Sequence, residues 1–418
     1  MINLEPPSKL RPLVGQAHQV AMNLLRPNSR RYDGQGHSRP KEMDMLAAMV
    51  AGLAQSGASS GAGAAGVRRD GTDMDGVDSD GEAAAEAVRN GAHLASVLSV
   101  MEMCWGDVGL LLSMPRQGLG NAAIASLGDA EQRARFDGRW ASMAITEPGC
   151  GSDSASITTT AVRDGDAYVI NGEKIFVTAG DRSDAVVVWA TLDKSLGRAA
   201  IKAFVVPKGT PGMTVERLED KLGIRASDTA TLRFQECRVP KENLLGSPEV
   251  DTSANGRGGG FAGAMATFDN TRPVVAAMAV GCARASLELT RQLLDEAGVD
   301  IDYDRPALAQ SAAAATFLRL ESDWEAAYLL TLQAAWMADN RRPNSLEASI
   351  AKAKAGRAGS HITLRCVELA GSLGYSEHEL LEKWARDSKI LDIFEGTQQI
   401  QQLIVARRLL GLSSAQLK

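Results

Sequence analysis

One carboxylate in a glycine turn is the leading candidate for acid–base chemistry in this sequence. Glu395 precedes Gly396 and Thr397, between helices predicted at about 376–393 and near 398–411. A side chain in such a turn can point into a cleft, where burial raises the pKa of a carboxyl group and suits it to accept a proton. Taken alone, a glutamate in a turn is more often solvated or caps a helix. These residue types therefore indicate Glu395 as a candidate general base, and this assignment needs support from other motifs.

The composition limits the classes of protein that carry this carboxylate. The chain has 418 residues and a formal net charge of -6. The length predicts two or three domains, and the acidic balance disfavours nucleic acid as the main partner. We expect no membrane span, because no run of about 20 apolar residues is present. The lack of a visible secretory signal and of any CxxC pair predicts a cytoplasmic protein with free thiols and no metal site.

The first domain is predicted to be helical and to cover residues 1–141. Apolar residues recur with helical spacing in 1–51 and again from about 82 to 140. Between these segments, 52–81 is rich in Gly, Asp and Ser and has few large apolar residues. Such a segment buries too little surface to offset its ordering entropy, so we predict a flexible insertion.

The middle segment, 142–250, is predicted to be a small antiparallel β-barrel or sandwich. Its short apolar runs have strand-like spacing and no helices between them. Within 167–177, Asn171 and Gly172 lie between two apolar runs, which is a strong hairpin signal. We therefore expect a tight turn at these two residues.

The last segment, 251–418, is predicted to be a bundle of helices after a glycine-rich loop at 255–260. Residues 269–271 are expected to cap its first long helix, with Pro273 in the first turn. The architecture is therefore α+β, with helices, a β-domain and then a helical bundle. Further helices are predicted at about 307–338, 345–372, 376–393 and 398–411.

Five motifs, in order along the chain, resemble signatures of the acyl-CoA dehydrogenases, a family of FAD-dependent flavoproteins. They are ThrGluProGlyCysGlySerAsp (146–153), LysIlePheValThrAlaGly (174–180), LysLeuGlyIleArgAlaSerAspThr (221–229), PheAspAsnThrArgProValValAlaAla (268–277) and PheGluGlyThrGlnGlnIleGln (394–401). The resemblance covers roughly 90–418. It implies an N-terminal helical domain, a middle β-domain and a C-terminal four-helix bundle.

The resemblance also implies a reaction, the α,β-desaturation of an acyl-CoA thioester in fatty acid β-oxidation. Glu395 would take the α proton, a hydride would pass from the β carbon to flavin N5, and electron-transferring flavoprotein would receive the electrons. Some relatives carry the base in the 268–277 block, where Thr271 stands here. Threonine cannot act as this base, which favours Glu395. Family members are usually homodimers or homotetramers.

The same motifs imply contacts to cofactor and substrate. Phe176 stands where the family usually has tryptophan against the flavin, so the aromatic face is kept without the indole N–H. Cys150 is interpreted as a small residue that fills a turn. The implied FAD contacts are Thr146, Gly151, Ser152, Phe176, Thr178, Thr397 and Gln399, and the implied acyl-CoA contacts are Ser152, Asp269, Arg272 and Gly396.

Two departures from the family pattern affect the implied FAD site. Residues 298–310 lack the Arg-x-x-Phe-Gly block that usually reaches the pyrophosphate of the partner's FAD. Glu368 replaces the Gln, and Ser372 the second Gly, of the usual Gln-x-x-Gly-Gly block. A carboxylate near a pyrophosphate is unfavourable unless it is protonated or paired. The alternatives are weak FAD binding, or a half-site or non-catalytic subunit of a hetero-oligomer.

A third alternative is a relative of the same fold that binds nucleic acid. The local basic clusters are ArgProAsnSerArgArg (26–31) and the pair Arg407-Arg408. The acidic total favours solvated helix ends for both. The motifs specify neither the acyl chain nor a dehydrogenase over an oxidase.

Overall fold

A computed structural model describes residues 8–55, 91–115, 119–250, 259–412 and 416, with the backbone alone for 49–55 and 259–270. It has the predicted α+β architecture, with helices on both sides of a curled sheet in chain order. The first helices are α1 (Arg11–Val20), α2 (Arg26–Gln35), α3 (Lys41–Gln55), α4 (Ala92–Gly106), α5 (Val108–Ser113), α6 (Leu119–Leu127) and α7 (Ala130–Arg135), with a π-helical turn, Ala21–Leu25, between α1 and α2.

Helix α3 extends past the boundary predicted for the insertion at 52–81. It ends at Gln55, so the prediction was wrong for 52–55. The apolar spacing of Met49, Val50 and Leu53 continues the helical period and carries the helix further. The rest of the predicted insertion lies outside the described residues.

The described part of the chain contains one seven-stranded sheet, in the order β1-β4-β2-β3-β7-β6, with β5 paired to β4. Most neighbours are antiparallel, but β4 runs parallel to β1 and, at one residue pair, to β2. The sheet therefore contains both parallel and antiparallel strand pairs around β4. The strands are β1 (Ala141–Ala144), β2 (Thr160–Asp164), β3 (Ala167–Thr178), β4 (Ala185–Thr191), β5 (Ile201–Pro207), β6 (Met213–Leu218) and β7 (Thr229–Pro240).

The hairpin predicted at Asn171 and Gly172 is wrong, because β3 runs straight through both residues. Gly172 has φ +152, and a β-carbon there would lie 2.4 Å from the Thr159 hydroxyl oxygen. The pairing with β7 shifts register at this point, and Asn171 bonds with Glu236 across it. Asn-Gly thus fills a β-bulge, while the hairpin turn joins β2 to β3 at 165–166.

Helix α8 (Gly259–Glu296) corrects two further predictions. Its first residues lie in the predicted loop 255–260, and it passes through 269–271 and Pro273 without a cap. A proline inside a helix removes one backbone hydrogen bond, but nearly every residue from 274 to 283 is buried in the core. This packing holds the helix together across the proline. The bundle continues with α9 (Ala312–Asp339), α10 (Ser345–Leu369), α11 (Gly371–Tyr375), α12 (Leu381–Ser388) and α13 (Gln398–Leu410).

One hydrophobic core joins the first helices to the bundle, and the sheet has a separate cluster on each face. Among the described residues, the segment Thr271–Glu296 of α8 is long and apolar enough to cross a membrane. Its most apolar window is 83% buried inside the fold. It therefore serves as the central helix of this core.

A buried charge network connects the three parts of the chain. Lys383 on α12 contacts Asp107 at 2.6 Å and Asp387 at 2.5 Å, and the Asp387 carboxylate accepts the backbone N–H of Ile224 at 2.5 Å. Asp107 also caps α5 by accepting from Leu110 N at 2.7 Å. The loop after β6, the first helices and α12 are therefore fixed relative to one another.

Candidate active site

The Glu395 turn has a backbone conformation that few residues tolerate. The φ angles are +53 at Glu395 and +91 at Gly396, in the left-handed region. A β-carbon on Gly396 would lie 2.5 Å from Gln401 Nε2, so only glycine fits there. Thr397 then caps α13, since its hydroxyl accepts from Ile400 N at 3.4 Å. A strained, closely packed turn thus fixes the direction of the Glu395 side chain.

Two buried side chains donate to the carbonyl groups of this turn. Gln401 Nε2 donates to Glu395 O at 3.0 Å and Gly396 O at 3.3 Å. Lys352 Nζ, from α10, donates to Gly396 O at 2.6 Å. Sequence reasoning missed both residues. The available signal was that Lys352 interrupts the buried small-residue face of α10, between Ala348 and Ala355.

The Glu395 carboxyl group lies among residues of α8 and α10. Thr271 Oγ1 donates to Glu395 Oε2 at 2.6 Å. Burial raises the pKa of Glu395, while the Thr271 hydroxyl, Lys352 and Arg272 act in the opposite direction. Arg272 is itself only 5% exposed. The structure thus brings Glu395, Gly396 and Arg272 together and provides a carboxylate with a raised pKa, the property that a general base needs.

We expect Thr271→Val to move the pH dependence of proton abstraction. The substitution removes a hydrogen bond to the ionised carboxylate, so the pKa of Glu395 rises further and the acid limb of the rate profile moves up by about one pH unit. The measurement is the rate of acyl-CoA oxidation against pH. Thr290→Val, buried on the same helix, is the matched control and should leave the profile in place. A Thr271→Val profile that superimposes on the wild type would contradict the expectation.

A second group of predicted site residues lies at the edge of the sheet, in the turn at 146–153. Ile175 N on β3 donates to Thr146 O at 2.9 Å, and Gly151 and Ser152 are exposed. Cys150 is buried, and burial raises the pKa of its thiol. These properties suit a residue that fills the turn and do not activate a nucleophile.

A buried ion pair that sequence reasoning missed supports this turn. Lys174 Nζ lies 2.7 Å from Glu147 Oε1, and both side chains are at most 3% exposed. Glu147 also accepts from Thr158 N and Oγ1 and from Thr159 N at 2.6–3.0 Å. The lysine and these donors lower the pKa of Glu147 to about 2. The turn is therefore held to β3 by a charged, fully hydrogen-bonded carboxylate.

Phe176 and Thr178 project from β3 to solvent. Phe176 is 59% exposed with φ +56, and Ala179 has φ +57. The pairing of β3 with β7 shifts register between Lys174 and Val177, so a bulge presents the aromatic ring outward. The ring of Phe176 is thus accessible at the surface, and its contact with flavin stays a prediction.

The other implied ligand contacts are less informative. Gln399 is exposed on α13. Asp269 lies within α8, and its side chain is outside the described residues. The implied contacts to FAD and acyl-CoA therefore stay predictions at all these positions.

The negative charge that Glu368 introduces, where the family has a neutral glutamine, has a cationic partner on the same helix. Glu368 pairs with Arg365 one turn earlier on α10, and both side chains remain partly exposed. In 298–310, Arg305 lies 3.7 Å from Asp302. An arginine beside the carboxylate supplies the pairing that an anionic ligand nearby would require.

Residues of the first basic cluster bind within the protein. The Arg26 guanidinium stacks on the Trp105 ring at 3.4 Å and donates to Trp105 O, and Arg30 contacts Glu382 at 2.5 Å. Both arginines make contacts within the protein, which disfavours the alternative that this basic cluster binds nucleic acid.

Comparisons with known proteins match the middle and last segments of the chain to one family. Residues 142–237 match the family model of the acyl-CoA dehydrogenase middle domain, and residues 258–410 match that of the C-terminal domain. The chain is 37% identical over 293 residues to the mitochondrial short-chain specific acyl-CoA dehydrogenase of Mus musculus, covering 69% of this chain and 68% of that protein.

Solved structures with the same fold cover nearly the whole chain. Butyryl-CoA dehydrogenase from Megasphaera elsdenii superimposes with a TM-score of 0.79 and 28% identity, over 98% of this chain and all of that one (100%). A structure described as the electron transferring flavoprotein of Acidaminococcus fermentans gives a TM-score of 0.79 and 29% identity, with the same coverage of 98% and 100%.

Proposed function

Because the chain belongs to the acyl-CoA dehydrogenase family and is therefore an oxidoreductase, we propose that it desaturates a short-chain acyl-CoA thioester with Glu395 as the base. One observation carries the assignment of the base. The Glu395 carboxyl group, whose pKa burial raises, is held by Thr271 Oγ1 at 2.6 Å in a turn of fixed left-handed backbone. The preference for short chains is supported by the name of the Mus musculus relative.

The residues of this chain act on the α carbon of the thioester. Glu395 takes the α proton, and its pKa, raised by burial, brings its proton affinity closer to that of the carbon acid. Gln401 holds the carbonyl groups of the turn, so that the backbone N–H of Glu395 is fixed to stabilise the developing enolate oxygen. Arg272, buried beside Glu395, adds a positive charge to the same site.

Residues of the turn at 146–153 and of the last part of β3 fit FAD, the cofactor of this family. Phe176 and Thr178 offer an exposed ring and hydroxyl on β3, the turn at 146–153 offers backbone groups and hydroxyls, and Thr397 lies at the start of α13. We propose that these residues hold the cofactor. Bound FAD supplies the hydride acceptor for the β carbon. The pairing of Glu368 with Arg365 supports the proposal, because it reduces the negative charge that Glu368 would present to an anionic group near α10.

We further propose a homo-oligomer that passes electrons to electron-transferring flavoprotein, in fatty acid β-oxidation. A similar structure is described as an electron transferring flavoprotein. A cytoplasmic location is supported by the cysteines, since all five are free and buried. Fractionation of cells that express the untagged chain tests the location.

The visible spectrum of the protein purified alone tests the proposed function. We expect a yellow protein whose flavin bleaches on anaerobic addition of butyryl-CoA and reacts more slowly with palmitoyl-CoA. A yellow protein whose flavin is bleached by none of the acyl-CoA substrates would contradict the dehydrogenase activity. A colourless protein that becomes yellow only with a related chain would instead favour a half-site subunit.

A further inference from the structure

A buried lysine stands behind the Glu395 turn. Lys352 is 1% exposed, and its ammonium group donates to Gly396 O at 2.6 Å. Its neighbours on the same face of α10, Ala348, Ala351 and Ala355, are small and buried. Burying an ammonium group among such residues costs free energy unless hydrogen bonds and charges compensate. The contact with the turn supplies one hydrogen bond, and nearby acidic groups supply the charge.

Charged groups from three elements face Lys352. They are Glu395 in the turn, Asp392 in the short helix Lys389–Asp392, and Arg272 on α8. Glu395 and Asp392 favour the charged lysine, whereas burial and Arg272 oppose it. The balance lowers the pKa of Lys352 to about 8. The ammonium form therefore predominates at neutral pH.

The other elements packed on α10 leave this arrangement intact. Gln401 on α13 is neutral and donates to the same turn. Asp323 on α9 bonds to Lys354 at 2.5 Å. Within the short helix Lys389–Asp392, Lys389 pairs with Asp392 at 3.4 Å. Lys352 is thus the cation on α10 that acts on both the backbone and the carboxylate of the turn.

We propose that Lys352 is a positioning residue for proton abstraction, which fixes the turn through the Gly396 carbonyl and favours the ionised form of Glu395. The inference rests on the proposed role of Glu395 as the base. A base must be ionised to accept the α proton, and a nearby positive charge stabilises that form. Removing the charge raises the pKa of Glu395, so the acid limb of the rate profile moves to higher pH.

The experiment measures exchange of the α protons of butyryl-CoA for deuterium, under anaerobic conditions in D2O, by mass spectrometry. Flavin-loaded wild type, Lys352→Gln, Lys352→Arg and Gln401→Leu are compared across pH. We expect Lys352→Gln to shift the acid limb up by about one pH unit. Gln401→Leu removes a neutral donor from the same turn, so exchange slows without a shift.

Lys352→Arg separates charge from position. Arginine keeps the positive charge, but its planar guanidinium cannot reproduce the close contact of the ammonium group with Gly396 O. We expect the wild-type acid limb with exchange slowed about tenfold. A shifted limb in Lys352→Arg overturns the electrostatic role, and a wild-type exchange rate overturns the positioning role. This variant decides the question if Lys352→Gln does not fold, as judged by its thermal midpoint.

The outcomes distinguish this inference from the proposed function. A wild-type protein that binds butyryl-CoA without exchanging its α protons contradicts the role of Glu395 itself. A wild-type protein that exchanges them, beside a folded Lys352→Gln with the same acid limb, overturns the role of Lys352 alone.

Discussion

Glu395→Gln should bind flavin and acyl-CoA like the wild type and lose at least about 10³-fold in the rate of flavin reduction. Glutamine has nearly the shape of glutamate and can still accept from Thr271 Oγ1, which lies 2.6 Å from Glu395 Oε2. The turn is held by Gln401 and Lys352 through backbone carbonyl groups, so the substitution leaves those contacts in place. Only the ability to take a proton is removed.

Stopped-flow mixing with butyryl-CoA measures the rate, and calorimetric titration measures binding. The matched control is Glu377→Gln, an exposed glutamate of the same helical half, which should bleach at the wild-type rate. Because the pKa of Glu395 is raised, the wild-type rate should also rise with pH through that pKa, and Glu395→Gln should lose this dependence. Flavin that bleaches at the wild-type rate in Glu395→Gln would remove Glu395 from the mechanism.

The sequence indicated Glu395 as the candidate base, which stays a prediction, and did not identify Lys352 and Gln401 as supports of its turn. Glu395, Gly396 and Thr397 form a contiguous motif, so their association follows from local order. Lys352 and Gln401 reach the same turn from α10 and α13. Gln401 ends the same motif and lies in the first turn of α13, so its contact with the turn is local. The role of Lys352 depends on how α10 packs against the turn, and no spacing within α10 specifies that contact.

The errors in the fold have a related cause. Asn171-Gly172 has the composition of a tight turn, but the same two residues suit a bulge when the partner strand continues past them. Pro273 is a helix-start residue by local preference, and core packing of the residues after it carries α8 through. In both places tertiary contacts selected among local conformations that the sequence alone permits.

Lys174→Met should destabilise the protein by about 3–5 kcal/mol, because it leaves one partner of a buried ion pair without its counter-charge. It leaves the Glu147 carboxylate buried with its three donors but without its cation. Urea unfolding measures the change. Lys241→Met breaks the exposed pair with Asp166, which is 2.5 Å long, and should leave the unfolding midpoint unchanged. Equal midpoints for the two variants would contradict the structural role of the buried pair.

The pH dependence of unfolding provides an independent check on this pair. The pKa of Glu147 is lowered from 4.5 to about 2 in the folded protein. A depressed carboxyl pKa contributes stability that is fully present above the unfolded value of 4.5 and is lost as the pH falls toward 2. Glu147→Gln carries no such ionisation, so its stability should decline less steeply than the wild type between these values. Because the pair holds the turn at 146–153 against β3, the same variants should lose flavin before they unfold.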